Sequence, residues 1–167
     1  LPAWSAAAFA AGSTRAASNV EAVHLAVLDY DDGSPIDGER KRWAGFAYAL
    51  HTSWSHTDRG PKYRIALPLV RPIPAPLWPR VFAHLYARTG GRIDKATKNP
   101  DRLFFLPALQ HYQADRLAEV NAGAWLDLDA DALPRTPEEL AAEQRANRPP
   151  PAVRWHATAA ERDHARA

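Results

Sequence analysis

The chain has 167 residues, 46% hydrophobic and 24% charged, a size and balance that fit one globular domain with a real core. Its net charge of +2 is compatible with nucleic-acid binding without requiring it, and the absence of cysteine excludes disulfides, thiolate zinc sites and cysteine nucleophiles together. No apolar run approaches the roughly 18 residues that cross a bilayer, and Leu1-Pro2-Ala3-Trp4 lacks the charged start of a signal peptide, so a cytoplasmic protein with no membrane contact is expected.

Fifteen prolines cut the chain into short elements. Residues 1–19, rich in Ala, Ser and Thr, carry no period and read as a short helix or a loose arm. Residues 21–29 read as a buried strand, and it ends in Asp29-Tyr30-Asp31-Asp32-Gly33. A strand projects every second side chain to one face, so Asp29 and Asp31 point together at the strand end. Two carboxylates that close repel unless a cation lies between them, and oxygen-only ligation suits Mg²⁺ or Mn²⁺. The competing reading is a solvated turn, because Asp-Asp-Gly is also a common turn sequence.

Ser34-Pro35 then marks a short helix, with Ser34 as its cap. Residues 45–53 and 63–70 alternate as strands, joined by the turn-rich loop Ser55-His56-Thr57-Asp58-Arg59-Gly60-Pro61 into a hairpin. Arg71 to Pro76 reads as a stiff, extended connector, and residues 77–88 as a helix burying Leu77, Val81, Leu85 and Phe82, stopped by Gly90-Gly91. After Ile93-Asp94 and a polar stretch comes a strand over 102–106. Residues 117–120 and 124–128 are expected to pair across Asn121-Ala122-Gly123 as a further hairpin. Thr136-Pro137-Glu138-Glu139 opens a last helix that Pro149-Pro150-Pro151 ends, and the tail reads as a linker or a helix awaiting another domain. The mixed order of strands and helices indicates α+β, with 1–133 as the main domain and 134–167 as a C-terminal helix and linker.

Taken singly, His56 is a solvated loop residue, Lys62 and Arg64 are the polar face of a strand, and Asp94 is a turn residue. In this order, however, the segments resemble the archaeo-eukaryotic primase superfamily, in particular the primase-polymerase domains of plasmid and phage replication proteins. The resemblance rests on Val27-Leu28-Asp29-Tyr30-Asp31, Ser53-Trp54-Ser55-His56 and Ile93-Asp94. It extends to Ser55-His56-Thr57, Lys62-Tyr63-Arg64-Ile65-Ala66-Leu67-Pro68 and Asp101-Arg102-Leu103-Phe104-Phe105-Leu106-Pro107. Trp54 departs from the small residue that the second motif strictly calls for.

The resemblance implies a mostly antiparallel, RRM-like sheet flanked by helices and a DNA primase or polymerase that transfers nucleotides with Mg²⁺ or Mn²⁺. It assigns Asp29, Asp31 and Asp94 as catalytic metal ligands, and Ser55, His56, Lys62, Arg64 and Arg102 as nucleotide-binding residues. Its implied partners are single-stranded DNA template and nucleoside triphosphates, with a helicase or helical-bundle domain as a further candidate. Trp54, Tyr48 and Trp43 are candidate stacking surfaces for bases, with core packing the expected use of at least two. Two other readings compete with this one. A haloacid-dehalogenase-like phosphatase expects Gly and Thr directly after its second acid, where Asp32 intervenes here. A non-catalytic replication-initiator domain of the same fold would have no need to concentrate acids facing phosphate.

Overall fold

The computed structural model describes residues 2–107 and 116–146. The apolar run of the first long strand decides the architecture. Val20–Tyr30 (β3) is buried without interruption over Ala26–Tyr30, because it is covered on both faces rather than one. Around it stand two short N-terminal strands, Ala3–Ser5 (β1) and Ala7–Phe9 (β2), then helix Ile36–Trp43 (α1) and strands Tyr48–Thr52 (β4) and Tyr63–Pro74 (β5). Helix Trp78–Arg88 (α2), strands Leu103–Phe105 (β6) and Ala118–Asn121 (β7), and helix Pro137–Ala146 (α3) follow.

Five strands form one sheet in the order β2-β3-β5-β4-β7, every described pair antiparallel, and β1 pairs with β6 in a second, two-stranded sheet. The fold class is therefore α+β with mostly antiparallel sheet. The register puts Tyr30 opposite Tyr63, and Leu28 opposite Ile65, which in turn faces Leu50. These side chains share a face, and they are buried in one core with Trp43, Val81 and Leu85. Asp29, Arg64 and His51 lie in one row on the opposite face.

Several expectations are corrected. Residues 2–19 hold two strands rather than a loose arm: β1 and β2 find partners in β6 and β3, and the one helical piece described there is the short 3-10 helix Ala17–Asn19. The connector after residue 70 is largely a continuation of β5, which runs to Pro74. The pairing of β5 with β3 shifts register between Val23 and Leu25, and Pro68 and Pro74 stand opposite Leu25 and Ala22 on either side of that shift. Ser34 does not cap α1; Pro35 occupies the cap position, and the Ser34 backbone N–H and hydroxyl both donate to Asp32.

The hairpin across 121–123 does not form. β7 pairs with β4 instead, while Ala124 and Leu126 make single bridges to Phe46 and Leu69. Gly123 explains the detour: a Cβ there would stand 2.5 Å from the Phe46 carbonyl carbon, so the glycine serves a close backbone crossing rather than a turn. The chain divides into two units after Thr136. Of the second, only α3 is described, starting where the sequence places it; the Pro149–Pro151 stop and the tail lie outside the described residues.

Candidate functional site

The end of β3 carries the site. Asp29 and Asp31 flank Tyr30, whose side chain points the other way into the core. There it stacks on Tyr63 at 4.8 Å and donates to Glu39 Oε2 of α1 at 2.7 Å. Arg42 Nε donates to the same Glu39 oxygen at 3.0 Å. This anchor fixes the strand that presents the two acids. On the edge of β3 away from β5, Tyr30 bridges Ile93, and the Asp94 N–H donates to the Asp29 carbonyl at 2.7 Å. Backbone pairing, not side-chain attraction, thus brings Asp94 to the other two acids.

One carboxylate oxygen from each of Asp29, Asp31 and Asp94 lies within 4.8 Å of the others. A cation with oxygen ligands at about 2.0–2.6 Å spans oxygens up to about 5 Å apart, so the three can hold one ion. Burial tests the fit. Asp29 is 2% exposed, and its Oδ1 is buried with no hydrogen-bond partner. An orphaned anionic oxygen beside two more carboxylates is what a cation site requires. The turn reading also holds, but for other residues: Asp32 and Gly33 make the turn, with Gly33 at φ 80°.

Asp29 Oδ2 accepts from Arg64 Nε at 3.0 Å, across the β3–β5 pair. Arg64 Nη1 donates to the Phe105 carbonyl at 3.2 Å, and the guanidinium lies 5.6 Å from the Phe104 ring. Burial pushes the Asp29 carboxyl above its ordinary range. Arg64 pulls the other way by charge and hydrogen bond, and the charges of Asp31 and Asp94 add to the rise. Desolvation outweighs the ion pair, so Arg64 alone does not offset the cost of burying this carboxylate.

On the β5 side stands the loop after β4. The His56 ring accepts the Lys62 backbone N–H on Nδ1 at 3.0 Å, which fixes the tautomer with its hydrogen on Nε2. Lys62 precedes β5 and makes no ion pair among the described residues. Ser55 is exposed on the loop. Arg102 lines a small cavity with Val23, Val27, Trp78 and Phe104, and its Nε is buried without a partner. Trp54 is 46% exposed, whereas Trp43 and Tyr48 are buried core residues and offer bases no surface.

Sequence reasoning assigned no role to two residues. His51 lies across from Arg64 in the row that ends at Asp29 and donates from Nδ1 to the Thr52 carbonyl at 3.0 Å, leaving Nε2 as an acceptor. Burial, more than the nearby Arg64 charge, holds its ring below the usual histidine range. The signal was parity, since position 51 falls on the face opposite Tyr48 and Leu50. Ser53 is buried with an unpartnered hydroxyl, and no sequence pattern separates it from its neighbour Ser55.

Among solved structures, the chain is similar to the primase-polymerase AEP domain of cyanophage S-2L, with a TM-score of 0.50 and 20% identity. The match covers 72% of this chain and 65% of that one, so the chain spans less than two thirds of its relative. At that identity the likeness speaks for the fold, which is that of a primase-polymerase-like domain. No curated protein matches. Among described residues no helix is long and apolar enough to cross a membrane. The model of the VapE N-terminal domain matches residues 7–135, nearly the whole described sheet, and the chain belongs to that family.

Proposed function

We propose that this domain is a metal-dependent nucleotidyltransferase of DNA replication, a primase or polymerase acting on single-stranded template. One observation carries the reading: three carboxylates from two segments, Asp29 and Asp31 at the end of β3 and Asp94 after α2, converge beside a buried, unpartnered Asp29 oxygen. Asp29, Asp31 and Asp94 would hold Mg²⁺ or Mn²⁺, and a bound ion supplies charge neutralisation for phosphoryl transfer. His56, with Nε2–H as donor, Lys62, Ser55 and the Arg64 guanidinium would bind the triphosphate of the incoming nucleotide. Arg102 belongs to this set only if its side chain leaves the cavity it lines. Residues 1–133 would form the catalytic unit and 134–167 would lead to a further domain, such as a helical bundle or a helicase.

A second reading has one observation in its favour. Arg64 already neutralises part of the Asp29 charge without any ion, as a non-catalytic nucleic-acid-binding domain of this fold would need. Incubation with single-stranded template, labelled nucleoside triphosphates and Mn²⁺ separates the two. Template-dependent incorporation that disappears in Asp29→Ala/Asp31→Ala supports the enzyme. Salt-sensitive DNA binding with no incorporation and no metal dependence leaves the binding domain in front.

A further inference from the structure

Resting on the polymerase reading, we infer that Arg92, Lys95 and Lys98 form the rail along which the phosphate backbone of a single-stranded nucleic acid runs into the site. The sheet puts two basic segments on opposite flanks of the acids. Tyr30 is bridged by Tyr63 on one edge of β3 and by Ile93 on the other, so the 92–98 segment lies on the side away from the His56–Lys62 loop. One flank serves the triphosphate; the other is left for the polymer.

The second flank is joined firmly to the acids. Asp94, itself in the carboxylate cluster, starts a 3-10 turn over Lys95–Lys98, and its Oδ1 accepts the Ala96 N–H at 2.9 Å. Thr97 is 2% exposed and donates its hydroxyl to the Asp94 carbonyl at 2.6 Å. In a 3-10 turn, residues i and i+3 eclipse at about 2.0 Å rise per residue, so Lys95 and Lys98 stack on one side about 6 Å apart. Arg92 stands three residues before Lys95, and all three are exposed.

None of the three enters an ion pair among the described residues, whereas Arg15, Arg40, Arg42, Arg64 and Arg71 each pair with an acid. The Lys95 ammonium lies 5.6 Å from the centre of the Tyr86 ring, so it is held at the surface without being neutralised. Three solvated, unneutralised cations within seven residues, two of them stacked on one side of the turn, beside a cluster of acids suit a repeating polyanion. The acids themselves repel that polyanion unless a metal ion is bound, so this flank must supply the attraction.

The test is fluorescence anisotropy of a labelled single-stranded oligothymidylate against salt, with EDTA present, comparing the parent with Lys95→Gln/Lys98→Gln. Mn²⁺-triphosphate binding and thermal stability are measured in parallel. Two lost phosphate contacts should flatten the log–log salt slope by about 1.4 and weaken binding about tenfold at moderate salt. Triphosphate affinity and melting temperature should not change. Unchanged oligonucleotide affinity and slope in the double variant would overturn the inference, as would an equal loss of triphosphate binding or a parent that binds no oligonucleotide. Template-dependent incorporation by the parent is scored separately. An inactive parent whose salt slope still flattens in the variant refutes the polymerase and keeps the rail; an active parent with an unmoved slope does the reverse.

Discussion

Replacing Arg64 by alanine should be far more damaging than removal of an ordinary strand-surface arginine. Its partner Asp29 is 2% exposed, and the arginine side chain itself is only 16% exposed. Removing one member of a buried pair strands the other, at a cost of about 3 kcal/mol or more. The cation–π contact with Phe104 and the bond to the Phe105 carbonyl add about 1–2 kcal/mol that does not depend on Asp29. Urea denaturation in EDTA measures the total, and the same substitution in an Asp29→Asn background isolates the pair: there it should cost only the smaller amount.

The pH dependence has a definite sign. The Asp29 carboxyl is already raised above 3.8 in the parent, and loss of Arg64 raises it further. A raised carboxyl gives its full stability below the unfolded value and loses it as pH rises through the folded one. The deficit of the variant should therefore be small in acid and grow towards neutral and alkaline pH. An equal cost with and without the Asp29 carboxylate would refute the reasoning.

Three further outcomes follow from the same structure. Asp31→Ala removes an exposed acid that repels its neighbours, so apo stability should hold or rise slightly in thermal melts while Mn²⁺-dependent incorporation falls by about two orders of magnitude. Gly123→Ala forces a Cβ into the Phe46 backbone and should cost about 1–3 kcal/mol in denaturant unfolding, with β7 and the bridge between Ala124 and Phe46 losing hydrogen-exchange protection first. Arg40 grips Glu119 with two hydrogen bonds of 2.9 and 2.7 Å and holds its carboxyl below the ordinary 4.5. That stability is present above the unfolded value and lost as pH falls through the folded one. Glu119→Gln should thus cost about 0.5–1 kcal/mol near neutrality and nothing in strong acid, as read by melts across pH.

The acids at the strand end were legible because parity is a local property: an apolar run followed by Asp-x-Asp puts both carboxylates on one face whatever the rest of the chain does. Asp94 was reachable only through the order of motifs, since its approach depends on a single bridge between Tyr30 and Ile93. Cross-strand register is absent from sequence, so the Arg64–Asp29 pair and the half-buried His51 beside it went unseen. The N-terminal strands were illegible for a related reason: their Ala and Ser residues have little strand preference, and β3 and β6 impose the extended form. Gly123 misled because a turn and a close crossing call for the same residue.

The hydrogen bond from Asp94 to the Asp29 carbonyl also bears on kinetics. It joins positions far apart in the chain and exists only once β3 and the segment after α2 have come together. No partly folded chain offers a cation the three oxygens together, so an ion has nothing to grip until folding is nearly complete. A bound ion should therefore leave the folding rate almost untouched and slow unfolding, with the protection growing as the logarithm of its concentration. The site then acts as a clasp fastened last: in a cell rich in divalent cations it would lengthen the lifetime of the native domain without helping the chain to reach it.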